Sequence, residues 1–201
     1  MKLISDVAQK ATKHKLKEWY WQQNGIEVEK LPLPVGDYVI VNDKIQDVID
    51  RKAKRNMAVK KMDFLGTYDI CVDTKFSIGE LESDIIGKQH ARFRDECILA
   101  QNNGIKLYIL VENEGKTIKR DIANKTITRL EDLHSWKNPR AFIFKNGKQV
   151  YPKATNGEQL MKACMTMEKK YGVKFMFCHR KDAGRMVIEL LTKGEGEDAN
   201  E

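Results

Sequence analysis

The chain is poor in residues that crosslink or ligate metals. Its 201 residues include four cysteines, Cys71, Cys97, Cys164 and Cys178, and four scattered histidines, His14, His90, His134 and His179. The cysteines show no Cys-x-x-Cys spacing, which argues against a zinc site and against a secreted disulfide scaffold. Cys71 and Cys178 fall inside apolar runs and read as buried thiols. No stretch approaches the roughly 18 uninterrupted apolar residues of a membrane span, and the opening Met1-Lys2-Leu3-Ile4-Ser5-Asp6 lacks the apolar core of a signal peptide. No internal repeat is visible. An intracellular protein with no membrane partner is expected.

Charge is abundant, at 32% of residues, and hydrophobic residues make up 41%, the balance of a globular protein long enough to bury a core without crosslinks. Formal net charge is +7, yet Gly194 to Glu201 holds four acids and no base, so the rest of the chain carries +11. An excess of that size favours a polyanionic partner through counterion release, with nucleic acid the first candidate, while a lysine-rich surface that only confers solubility is the bland alternative.

The patterning alternates between strand and helix. Leu3 to Asp6, Ile26 to Lys30, Tyr38 to Val41, Tyr68 to Lys75, Ile105 to Val111 and Val173 to Cys178 read as strands. Helical spacing marks Thr12 to Gln23, a segment around Ile45, Val48 and Ile49, a long helix from about Gly79 to Asn103, one near Arg129 to Trp136, and the stretches Thr155 to Lys170 and Ala183 to Leu191. Asn146-Gly147 predicts a hairpin between Phe142 and Tyr151. This order predicts an α/β fold with a mixed central β-sheet flanked by helices. The expected organisation is one domain over 1–193, with a basic insertion at 43–66, an irregular insertion at 113–152 and a disordered acidic tail at 194–201. The basic segment 43–66 lies between the two strands that carry Asp37 and Asp73, so it reads either as a solvated face or as a phosphate contact.

The chemistry concentrates at Asp73-Thr74-Lys75. Alternate side chains of a strand share a face, so Asp73 and Lys75 should point at one spot, within reach of Asp37 on a neighbouring strand. Paired carboxylates are the hard oxygen ligands that Mg²⁺ or Mn²⁺ prefers, and a lysine beside them can position a water or stabilise developing charge. Together these roles describe phosphodiester hydrolysis. The acid-x-Lys tripeptide also occurs at Glu114 to Lys116 and Glu168 to Lys170, so it takes its meaning from its surroundings.

Those surroundings are Asp6, then Leu33-Pro34-Val35-Gly36-Asp37-Tyr38, then Val72-Asp73-Thr74-Lys75, then Arg92-Phe93-Arg94-Asp95-Glu96. In this order they resemble the nuclease domain of the XPF-type structure-specific endonucleases, of the PD-(D/E)XK, restriction-endonuclease-like class. Gly36-Asp37-Tyr38 matches the family's Gly-Asp-Tyr, Asp73-Thr74-Lys75 takes the place of its Glu-Arg-Lys, and Arg92 with Glu96 keeps the spacing of its arginine and glutamine. The likeness extends to small phage and prophage proteins with this domain.

The resemblance implies a metal-dependent DNA endonuclease of phage or prophage recombination, repair or replication, acting on branched or flap DNA, in a bacterial or phage-infected cell. It implies catalytic Asp37, Asp73 and Lys75, an Mg²⁺ or Mn²⁺ cofactor on Asp37 and Asp73, and Arg92 in the DNA or active-site framework. Glu80, near the place of a family aspartate, is a third candidate metal ligand or else a solvated acid at a helix start. Lys88 and Arg94 join Arg92 as candidate DNA contacts, and Asp6 and Glu96 border the site. A homodimer is left open. The chain departs from the pattern at Ala8, Gln9 and Thr74, where relatives carry charged groups, so the alternative is an inactive DNA-binding module on a nuclease fold. A third reading is a scaffold whose basic surface meets an acidic protein.

Overall fold

In the computed structural model, residues 1–9 and 11–193 are described; the acidic segment 194–201, expected to be disordered, lies outside the described residues. The strands are β1 (Lys2–Ser5), β2 (Glu27–Lys30), β3 (Tyr38–Ile40), β4 (Ile70–Lys75), β5 (Lys106–Asn113), β6 (Lys116–Lys119), β7 (Ile122–Asn124), β8 (Phe144–Lys145), β9 (Lys148–Gln149) and β10 (Lys174–His179). The helices are α1 (Ala11–Gln23), α2 (Asp43–Lys54), α3 (Ile78–Ile85), α4 (His90–Asn102), α5 (Gly157–Tyr171) and α6 (Ala183–Thr192).

Six strands form one mixed sheet in the order β10-β5-β4-β3-β1-β2. β10, β5 and β4 run parallel, β3 is antiparallel to both β4 and β1, and β2 closes the far edge parallel to β1. The run from β4 through α3 and α4 to β5 is the crossover that the strand, helix, strand order predicts.

The period-2 alternation of β5 shows how the sheet is covered. Leu107, Ile109 and Val111 enter a core with Leu81, Phe93, Cys97, Leu160 and Cys164 of α3, α4 and α5. Tyr108 and Leu110 enter a second core on the opposite face with Trp21 of α1 and Val187 and Leu190 of α6. There the Trp21 indole N–H donates to the Gly184 carbonyl at 2.9 Å, tying α1 to α6. All four cysteines are free and buried, as their apolar settings suggest.

Two local expectations are corrected and a third is met. The long helix over 79–103 is two helices, α3 and α4, separated at 86–89. The break falls where Gly87 lies against the last turn of α3; a Cβ there would sit 2.8 Å from the Ser83 carbonyl oxygen, so only glycine allows the turn. Arg129 to Trp136 holds only the 3₁₀ turn Glu131–Ser135. The predicted hairpin forms with two-residue strands, and Asn146 (φ 51°) and Gly147 (φ 75°) supply the paired left-handed conformations of its tight turn. A second hairpin, β6–β7, sits in the same irregular stretch and has no Asn-Gly signal to announce it.

The basic segment at 43–66 is partly built into the fold. Asn42 caps α2 by accepting the Ile45 N–H at 2.9 Å, and Ile45 and Val48 are buried. No helix among the described residues is long and apolar enough to cross a membrane.

Candidate active site

β4 delivers its last residues to the face covered by α3 and α4. Cys71 is part of the apolar core on that face, and two steps on, Asp73 and then Lys75 occupy the same side. Both are 4% exposed. Lys75 Nζ lies 2.7 Å from Asp73 Oδ2 and 2.7 Å from Asp84 Oδ2, and 4.8 Å from the centre of the Phe93 ring. The strand face therefore converges as the alternation predicts, with one addition, Asp84 from α3.

Asp37 arrives from the turn before β3. Gly36 makes that turn possible: its φ is 75°, and a Cβ would press to 2.9 Å on Cys71 Cβ and Sγ. The Gly36 N–H donates to Glu96 Oε1 at 3.0 Å, and Asp37 N–H donates to the Val72 carbonyl at 2.8 Å. Asp37 Oδ2 accepts both the N–H (2.7 Å) and the hydroxyl (2.8 Å) of Thr74. Thr74, which replaces the family's arginine, thus orients an acid from the opposing strand.

The electrostatics follow from burial and crowding. Desolvation, then repulsion from Asp73, pushes the Asp37 carboxyl well above the usual carboxylate range, against the pull of Lys75 and the Thr74 hydrogen bonds. Glu96 is raised for the same two reasons, opposed by the Gly36 N–H, Lys75 and Arg92. Burial by itself would favour neutral Lys75, but attraction to Asp73, Asp84 and Asp37 outweighs it and raises its pKa, so the amine is a fixed positive charge at neutral pH. Asp73 Oδ2 is buried without a hydrogen-bond partner, because its contact with Lys75 is close but not aligned as a hydrogen bond.

These groups line one cleft of about 430 Å³, with Asp6, Ala8, Gln9, His14, Lys61, Glu80, Arg92, Glu96 and Glu112 also in its walls. Asp6 acts as framework: its Oδ1 accepts the Leu33 N–H at 2.9 Å, its Oδ2 the Ala8 N–H at 3.3 Å, and its own N–H donates to the Asp37 carbonyl at 2.8 Å. Glu80 Oε2 accepts the Phe76 N–H at 2.8 Å while its own N–H donates to Ser77 Oγ at 3.1 Å, so it ties down the start of α3 from the cleft wall. Arg92 borders the cleft; Lys88 and Arg94 do not. Arg94 pairs with neighbouring Asp95 at 3.0 Å, and Lys88 is exposed in the turn between α3 and α4. Lys61 brings one charge of the basic segment to the rim.

Among the described residues no group of three or more acidic, histidine or cysteine side chains is gathered closely enough to hold an ion. The donor set that suits a hard divalent cation is accordingly a pair, Asp37 and Asp73, whose Oδ2 is ion-paired to Lys75 in this structure, with water completing the shell.

Three cleft residues escape a reading of the sequence. Asp84 lies nine positions past Lys75, and its signal is an acid three residues after Leu81 on the inward side of α3, where both are buried. Glu112, at the end of β5, forms a buried ion pair with Lys17 of α1. His14, one turn before Lys17, has its Nδ1 2.9 Å from the Tyr38 hydroxyl. A lysine and a histidine on the inward side of an aromatic helix are the signals for the last two.

Comparison with known proteins agrees with this architecture. No curated protein sequence matches the chain. Two solved structures share its fold: XPF from Aeropyrum pernix (TM-score 0.52, 13% identity, covering 98% of this chain and 66% of that one) and the same protein in complex with DNA (TM-score 0.51, 13% identity, 100% and 68%). The chain thus spans about two thirds of the XPF chains it matches. The sheet and helices are those of the restriction-endonuclease-like fold. The profile of the ERCC4 domain matches residues 9–190, from just after Asp6 through most of α6, and the chain belongs to the ERCC4 domain family of nucleases.

Proposed function

We propose that the chain is a metal-dependent, structure-specific DNA endonuclease acting on branched or flap DNA, with Asp37 and Asp73 as metal ligands and Lys75 as the catalytic cation. The observation that carries this reading is the convergence of Asp73 and Lys75 from β4 with Asp37 from the β3 turn in one cleft. A divalent ion, when bound, supplies Lewis-acid stabilisation of a phosphoryl oxygen and an acidified water. Lys75, held protonated by its neighbours, serves as an electrostatic stabiliser of charge developing on the phosphate and not as a base. Asp84 fixes the ammonium from the side away from the strand. Arg92 and Lys61 at the rim suit phosphates flanking the scissile bond. The ERCC4 family and the DNA complex of its XPF structural relative favour DNA as the substrate. The small phage and prophage likeness favours a recombination, repair or replication setting.

The test is incubation of the purified protein with flap, fork, four-way and linear DNA in Mg²⁺ or Mn²⁺, beside the Asp73→Asn and Lys75→Ala variants. Metal-dependent cutting that either substitution abolishes, with DNA binding retained, is the expected result. Absence of cutting on every substrate overturns it.

Two observations favour the second reading, a catalytically inactive DNA-binding module: Lys75 is clasped by both Asp73 and Asp84, and the Ala8 and Gln9 positions add no charge to the cleft. That reading predicts salt-sensitive binding and no turnover in the unmodified protein.

A further inference from the structure

A second, larger cleft of about 810 Å³ opens on the other side of the β4 and β5 ends. Sequence neighbours divide between the two: Phe76, Glu80 and Glu112 line the first, whereas Ser77, Gly79 and Asn113 line the second. The partition is therefore one residue thick. Arg180 braces it, with its guanidinium 4.0 Å from the Phe76 ring centre and its Nη2 donating to the Phe76 carbonyl at 3.3 Å.

Most of the wall of the second cleft comes from the irregular stretch after β5. Between residues 114 and 153 there are ten lysines and arginines against four acids, so a fifth of the chain carries most of its positive excess. The two acids that face the cleft are already engaged: Glu82 by the Asn138 amide (3.3 Å) and Arg140 (3.8 Å), Glu114 by Arg180 (3.3 Å) and His179 (3.6 Å). Lys116 and Lys125, on the β6–β7 hairpin and just past it, line the cleft with no ion-pair partner among the described residues.

Apolar and aromatic surface is interleaved with this charge. Ile143, 46% exposed, lines the cleft, and the next residue, Phe144, is 55% exposed on β8 beside it, with the Lys119 ammonium 4.6 Å over its ring joining the two hairpins at the rim. An exposed ring at the rim of a cleft with unpaired lysines is a surface on which an unstacked base and its phosphates can be held together; duplex DNA, whose bases are already stacked, gains nothing from the ring.

We propose that this second cleft is a binding site for a single-stranded DNA segment, which it feeds across the Phe76–Ser77 partition to the cleft of Asp37, Asp73 and Lys75. The identity of the polyanion rests on the nuclease reading above; the preference for a single strand rests on the exposed Phe144 ring beside the basic cleft.

The experiment compares binding of labelled oligothymidylate and of a blunt duplex by fluorescence anisotropy, over a salt series, in an Asp73→Asn background that prevents cutting. Two independent groove variants are used, Lys116→Ala with Lys125→Ala, and Phe144→Ala; these side chains are exposed, and equal melting temperatures verify folding. The lysine pair is expected to weaken oligothymidylate binding about tenfold and to flatten the slope of log affinity against log salt by about 1.4, at about 0.7 per single-strand phosphate. Phe144→Ala is expected to weaken it at least about fivefold through lost stacking. Duplex affinity should change less than about twofold. Unchanged oligothymidylate affinity in both variants, or an equal loss for duplex, overturns the groove. If the unmodified protein still cuts flap DNA in that case, only the groove assignment falls, whereas failure to bind or cut any DNA removes both readings.

Discussion

The two clefts on either side of the β4 and β5 ends are built on opposite plans. In the first, charges are buried and satisfied by each other: Lys75 lies between Asp73 and Asp84, and Asp37 is held by Thr74. In the second, Lys116 and Lys125 are solvent-exposed on and just past the β6–β7 hairpin, and the central sheet contributes only Asn113, from the end of β5. Preorganised charge suits stabilising a transition state, because no reorganisation is needed at the moment of reaction. Exposed charge suits a ligand that arrives with its own counterions. If the two proposals hold, turnover and capture are separated across a single residue, and substitutions on the two sides should separate in the same way.

The largest effect is expected on the preorganised side. Asp73→Asn should lower the rate of metal-dependent cleavage about a thousandfold or more while DNA affinity stays within about threefold, measured by single-turnover kinetics and anisotropy. A parallel loss of affinity would erase the distinction between the clefts. Lys75→Ala should cost about a hundredfold in rate, again with little change in affinity. Asp84→Asn sharpens the comparison, since its ion pair with Lys75 would make Asp84 a positioning residue in the proposed reaction. A loss of about tenfold to a hundredfold confined to kcat is expected, as for a catalytic group left misplaced, and a change in KM alone would contradict that role.

Stability effects come next. Gly36→Ala places a Cβ against Cys71 at a left-handed φ and should cost about 1–3 kcal/mol, read as a melting temperature several degrees lower. The smallest effect is a pH dependence. Burial raises the Glu112 carboxyl above its usual range, more than Lys17 lowers it. The folded state thus binds that proton more tightly than the unfolded state, and stability falls as pH rises through the folded value. The melting temperature of the unmodified protein, relative to Glu112→Gln, should accordingly fall as pH rises above the usual glutamate range; a flat difference would contradict this.

Much of this was readable in the sequence wherever local pattern and global fold agree. All six strands of the sheet announce themselves through alternation or apolar runs, and α5 through its helical spacing; the Asn156 and Gln159 capping box and the left-handed Gly172 then fix its ends in the structure. Asp37, Asp73 and Lys75 were legible because strand periodicity fixes the direction of a side chain. Asp84 and Glu112 were not, because their partners, Lys75 and Lys17, are set by how α3 and α1 dock on the sheet, which is a tertiary fact. The division at Gly87 was hidden for a related reason: apolar periodicity continues from Ile85 to Phe93 across a turn that only the close approach to Ser83 reveals. The second cleft comes from the stretch with the weakest periodicity, where turns and 3₁₀ segments leave little signal.

The central claim is that Asp37 and Asp73 share one divalent cation beside the Lys75 ammonium. A crystal of the unmodified protein soaked in Mn²⁺ tests it most directly through anomalous scattering. A single strong peak between those two carboxylates is the predicted result; manganese bound only elsewhere, with Lys75 still clasped and no peak at the pair, would contradict it.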